Sequence, residues 1–207
     1  NIGSCYRTLK SKQMKNSVKP LALITIAVFL FNSSHAQLKL PVIDGVSNDV
    51  KKAILDYPNQ FENLLGEMIT QNTQSTDYKC VFNANGAEET VITKYSARKD
   101  IGSWQATMLT TESFEKAKQK FRSLFNQLNG LALRFGHQAS RLKGEYMQPD
   151  EDKKFSSVLF SFEPGNDSVE KMKVEIIIQA YEPLEWKVKV LVYDREREDA
   201  ERGKTQE

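Results

Sequence analysis

The chain predicts an α+β fold: two helix-plus-three-strand halves, with the helices packed on one face of an antiparallel sheet. Three observations carry this expectation. Apolar residues recur at helical spacing within residues 47–69 and again within 111–128, and each stretch precedes three segments of two-residue alternation. Turn signals divide those segments, namely Asn85-Gly86, Pro164-Gly165-Asn166-Asp167 and Glu182-Pro183. The third strand of each half opens near a tryptophan, Trp104 in one and Trp186 in the other. The expected domain covers residues 37–193, divided into halves 47–110 and 111–193, and antiparallel pairing follows from the short connections.

In chain order, an extended segment at residues 38–43 leads to a short helix marked by Val50, Ala53 and Ile54, with Ser47, Asn48 or Asp49 as its cap. Pro58 is expected to start a second helix, because Phe61, Leu64, Leu65, Met68 and Ile69 fall at i, i+3, i+4, i+7 and i+8. The polar stretch 70–77 ends it. Residues 78–84 and 89–97 then read as strands around a two-residue Asn85-Gly86 hairpin, since both turn positions tolerate positive φ. After a turn at 99–102, Trp104, Ala106 and Met108 alternate as a third strand.

Thr111 is the expected cap of the next helix, with Glu112 and Glu115 near the positive end of its dipole. Phe114, Ala117, Phe121, Leu124, Phe125 and Leu128 form its apolar stripe, and Gly130 stops it. Residues 131–154 depart from the repeat: Leu131, Leu133 and Phe135 fit either an extra strand or a longer helix, and 141–147 is ambiguous. Strands follow at 155–163, at 172–180 and from Trp186 to Val192, where Lys187 and Lys189 face away from Val188 and Val190. A charged tail covers 194–207.

Residues 14–36 read as a secretory signal peptide. Met14, Lys15 and Lys19 open it, residues 21–31 are apolar apart from Thr25, and Ser34-His35-Ala36 offers small residues before a cleavage at Gln37. The apolar run is about half the ~20 residues a membrane-spanning helix needs, so cleavage is expected over the alternative of an uncleaved anchor, with no stable membrane insertion after it. Residues 1–13 read as a non-native upstream extension. The expected localisation is periplasmic or secreted.

Residues 1–36 hold five of the 29 basic residues and none of the 27 acidic ones, so the exported chain carries 24 bases against 27 acids, a formal net charge of −3. That balance gives no electrostatic case for nucleic acid. Cys5 precedes the signal, leaving Cys80 alone and no disulfide framework. Tyr78, Cys80 and Phe82 alternate along a strand, so Cys80 is expected to be buried as a small hydrophobe.

Catalytic motifs are absent. His137 is the one histidine after cleavage, so a multi-histidine zinc site is excluded. A triad-type hydrolase would need His137 with Ser140 or Cys80, and no GxSxG elbow, GxGxxG or P-loop occurs. The carboxylates of Glu88-Glu89 and Asp150-Glu151-Asp152 cluster at turns, where solvated acids belong, and lack EF-hand spacing. No cofactor or metal is expected. Tyr95, Tyr181, Leu191 and Tyr193 fall on the strand face away from the core pattern, and Tyr95, Tyr181 and Tyr193 are the candidate binding residues. The expectation is a non-catalytic module that binds a protein partner or an apolar small molecule. A periplasmic hydrolase using carboxylates or His137, and a structural envelope component, are the alternatives.

Overall fold

The computed structural model describes residues 45–96 and 101–194. The upstream extension, the signal segment, the extended stretch 38–43 and the tail from residue 195 onward lie outside these. Among the described residues the chain is mainly β. Its elements are α1 (Val46–Asp56), β1 (Leu65–Gln71), β2 (Ser75–Cys80), β3 (Glu89–Tyr95), β4 (Gly102–Thr111), α2 (Phe114–Leu128), β5 (Ala132–Phe135), β6 (Gln138–Gly144), β7 (Phe155–Glu163), β8 (Met172–Tyr181) and β9 (Glu185–Asp194). The strands form one antiparallel sheet of nine in the order β1-β2-β3-β4-β9-β8-β7-β6-β5. This corrects the expected α+β plan of two helix-plus-three-strand halves with helices packed on one sheet face. The fold is a single large sheet accompanied by two short helices. Two segments account for the change.

The first is residues 57–71, expected as a helix from Pro58. The α1 helix ends instead in 3₁₀ turns at Tyr57–Asn59 and Glu62–Leu64, with Gln60 and Phe61 at φ 54° and 61°. Left-handed backbone at two successive residues cannot continue an α-helix. Asp56 stabilises the break: its carboxylate accepts from Asn59 Nδ2 at 2.9 Å, Asn63 N at 3.2 Å and Asn63 Nδ2 at 2.6 Å. Lys94 Nζ donates to the Gln60 carbonyl from β3. The chain then leaves as β1, an edge strand on which Met68 is 59 % and Ile69 42 % exposed, so Phe61 enters the core while the i+7 and i+8 positions of the pattern do not.

The second is residues 132–144, where the ambiguous insertion is a hairpin, β5–β6, that widens the sheet. Gly136, at φ +60°, makes the turn. Smaller differences have local causes. Val46 starts α1 after Gly45, so Ser47 lies inside the first turn, and its hydroxyl donates to the Gln127 carbonyl at the end of α2 (3.0 Å). Asn85-Gly86 is a turn, closed by Ala87 N to Ala84 O at 2.9 Å with Gly86 at φ +72°. It sits in an eight-residue connection between Cys80 and Glu89, because Thr90 Oγ1 and Asp49 Oδ2 take the amides of Ala84 and Asn85. Ser113 caps α2, accepting from Lys116 N, and Thr111 accepts from Ser113 N one step earlier.

The α2 stripe is as the spacing predicts, with Phe114, Ala117, Phe121, Leu124 and Leu128 buried and α2 lying against β4, β8 and β9. Strand alternation sends Trp104, Ala106 and Met108, Val174, Ile176 and Ile178, and Val188, Val190 and Val192 to the same core. The strand run β1–β4 joins the run β5–β9 at the β4–β9 ladder, where Trp104 pairs with Val192 and Ala106 with Val190, before a register shift between Thr107 and Leu109. Tyr57 Oη donates to Asp194 Oδ2 at 2.5 Å, with both residues buried, and ties the end of α1 to the end of β9.

This arrangement separates two substitutions that a helical reading of residues 58–69 would treat alike. Ile176→Ala, at a fully buried site, is expected to cost about 2–5 kcal/mol in denaturant unfolding. Met68→Ala should change stability by no more than about 0.5 kcal/mol.

Candidate functional site

Residues that alternate with the core positions define the opposite sheet face, away from α2. Four cross-strand rows run over its centre. Phe155 pairs with Gln179, Gln179 with Lys187 and Lys187 with Thr110. Ser157, Ile177, Lys189 and Thr107 make the next row, and Leu159, Glu175, Leu191 and Gln105 the one after. Lys173, Tyr193 and Ser103 make the last. Phe155 is 49 % and Leu159 46 % exposed, and Ile177 between them is half-buried. Other exposed apolar side chains, such as Leu55, Val81, Met147 and Leu184, lie on separate elements.

The predicted tyrosines all fall on this face, but not as one cluster. Tyr193 is buried, and its hydroxyl donates to Glu175 Oε2 at 2.8 Å, a cross-strand contact inside the sheet surface. Tyr95 is half-buried, with its hydroxyl 3.5 Å from Ser103 Oγ, near the Tyr193 end. Tyr181 pairs with Glu185, eight residues along β9 from Tyr193, or roughly 27 Å at ~3.4 Å per residue. Its hydroxyl donates to Gln179 Oε1 at 3.1 Å, and the ammonium groups of Lys187 and Lys189 lie 5.1 and 5.5 Å from its ring centroid. The part of the face where exposed or half-buried apolar, aromatic and cationic side chains come together is Phe155, Leu159, Ile177, Gln179, Tyr181, Lys187 and Lys189. Sequence reasoning singled out Tyr181 alone. The signal for the others was the alternation itself, which puts Phe155 and Leu159 out of phase with Val158 and Phe160.

The residues named for catalysis are not brought together. His137 is exposed at the β5–β6 turn, whereas Ser140 faces the core with its Oγ buried and unpartnered. Cys80 lies on β2, six inter-strand spacings from β6, or roughly 29 Å at ~4.8 Å each. The acids at turns have local work: Glu88 accepts from Thr110 N and Oγ1, both at 2.7 Å, and Asp150 caps the turn Glu151–Lys153. Among the described residues no three His, Cys, Asp or Glu side chains are grouped to hold a metal ion. Comparison of the chain with protein-family models, curated proteins and solved structures returned no match.

Cys80 is half-buried rather than fully enclosed and borders a cleft of about 560 Å³ with Phe82, Asn83, Glu88 and Thr90. Burial pushes its thiol pKa up and the Asp49 carboxylate adds to the rise, while the backbone amides of Phe82 and Val81 pull it back less strongly. A thiol held neutral is a poor nucleophile. Cys80 is thus expected to react with a thiol reagent more slowly than free cysteine at one pH, on a profile displaced upward. Its contribution to stability is complete below the ordinary thiol pKa and is lost as pH rises through the raised folded value. Cys80→Ser should flatten the fall in stability over that alkaline window, measured by denaturant unfolding at a series of pH values.

Proposed function

We propose that this protein is an exported, non-catalytic binding module that uses the sheet face opposite α2 to hold a protein partner. The observation that carries this reading is the juxtaposition of Phe155, Leu159, Ile177 and Tyr181 on that face, two of them close to half exposed. Apolar and aromatic side chains there add little to the core, because Trp104, Val190 and Ile176 already fill the other side. Contiguous exposed apolar surface of this kind marks interaction sites. A protein suits it better than a small molecule, since small ligands favour concave pockets that enclose most of their surface. The export step rests on Lys15, Lys19, the apolar run 21–31 and Ser34-His35-Ala36. No helix among the described residues is long and apolar enough to cross a membrane.

The test is crosslinking capture from an envelope extract with the full chain as bait, beside the double variant Phe155→Ser/Leu159→Ser. The expected result is one saturable protein partner that the variant loses, while the thermal midpoint falls by no more than about 5 °C. Equal capture by the folded variant would remove this face as the site. Capture of no saturable partner by the wild-type chain would remove the protein-partner reading.

A further inference from the structure

Resting on that reading of the sheet face, we infer that Lys187 and Lys189 form an anion-recognition point, and that the partner is a protein presenting carboxylates beside apolar side chains. The two ammonium groups lie 5.1 and 5.5 Å from the centroid of one ring, Tyr181, so two like charges are held over a single aromatic side chain. Neither cation is neutralised across the strands. Lys187 lies between Thr110 and Gln179, and Lys189 between Thr107 and Ile177. Opposite charges at such positions would stabilise the sheet, and the chain places none there although acids outnumber bases after residue 36.

Of the nearby carboxylates, Glu185 makes a long ion pair with Lys187 at 3.9 Å along the same strand, Glu88 accepts from the amide and hydroxyl of Thr110, and Glu175 accepts from Tyr193. Lys189 makes no ion pair among the described residues. Tyr181 adds order, because its hydroxyl occupies Gln179 Oε1 and leaves the carboxamide NH₂ as a third donor on the face. Phe155 stands directly across from Gln179, and Ile177 from Lys189. Cationic donors on β9 with apolar side chains in the same rows on β8 and β7 complement a strand or loop in which Glu or Asp alternates with aliphatic residues. Charge sets specificity and encounter rate at such a surface, and the apolar contacts hold it.

The inference is tested by titrating the isotopically labelled full chain, followed by amide NMR, with three probes: an alternating Leu/Glu octapeptide, a matched Leu/Lys octapeptide, and phosphatidylglycerol vesicles. The Leu/Glu peptide should shift amides of Gln179, Tyr181, Lys187 and Lys189. The double variant Lys187→Gln/Lys189→Gln, whose spectrum should otherwise match wild type, should bind it roughly tenfold more weakly. Added salt should weaken the wild-type interaction, as screened charge pairs require. Equal binding of the Leu/Lys peptide, unchanged affinity in the double variant, or no shift with either peptide would overturn the inference. Shifts with the vesicles alone would overturn it in favour of an anionic lipid surface. Should the captured partner be lost with Phe155→Ser/Leu159→Ser but retained by Lys187→Gln/Lys189→Gln, the anion inference falls and the binding-face reading stands.

Discussion

The pairing of β4 with β9 is the constraint on which the rest of the chain depends. β4 closes the first run of strands and β9 closes the second, so this ladder turns two local meanders into one sheet. It also places Trp104 beside Val192 and Ala106 beside Val190, all of them fully buried, at the middle of the core. The α2 helix lies against β4, β8 and β9, so its stripe needs both runs present to find a surface. Because β4 and β9 are separated in sequence by α2 and four strands, their contact carries a large loop-closure cost. Burial around Trp104 and Phe121 is what offsets that cost. Tyr57 and Asp194 add a polar lock at one end of the same junction.

A sheet filled from one side is left with a second face whose side chains are under weaker packing demands. The chain does not fill that face uniformly. Around Tyr193, Glu175 and Ser103 it is knit by side-chain hydrogen bonds and near contacts within the sheet. Toward Phe155, Tyr181 and the two lysines it carries exposed apolar groups beside a tyrosine ring that two ammonium groups share. The division of work follows from position: the knit end stabilises the ladder, and the other end is free to meet something else. Neither edge of the sheet competes well for that role. β1 is broken by register shifts on either side of Met68, and β5 is only four residues long and carries Arg134, both devices that discourage strand addition.

Much of this was legible in the sequence where periodicity and local chemistry agree. The stripe of α2 and the alternation of β7, β8 and β9 stand where spacing puts them. The failures share a cause. Phe61, Leu64, Leu65, Met68 and Ile69 imitate a helix face, yet Asp56 and Lys94, outside that window, hold the backbone in a conformation that ends the helix. Likewise Leu133 and Phe135 carry too little pattern to choose between helix and strand until β6 and β7 offer them a ladder. For the candidate face, alternation assigned Tyr95, Tyr181 and Tyr193 to one side of the sheet. It could not report that Tyr193 is covered and Phe155 is not, because burial on the outer side depends on neighbours several strands away.

Native-state hydrogen exchange on the full chain tests the central claim, a single sheet joined through β4 and β9, most directly. If the junction makes one cooperative unit, core amides from both runs, such as those of Ile92, Trp104, Val174, Ile176 and Val190, will exchange with one common opening free energy, the largest in the molecule. Division of these amides into two protection classes, one for residues 45–111 and another for 114–194, would mean that the halves open independently and would contradict the account.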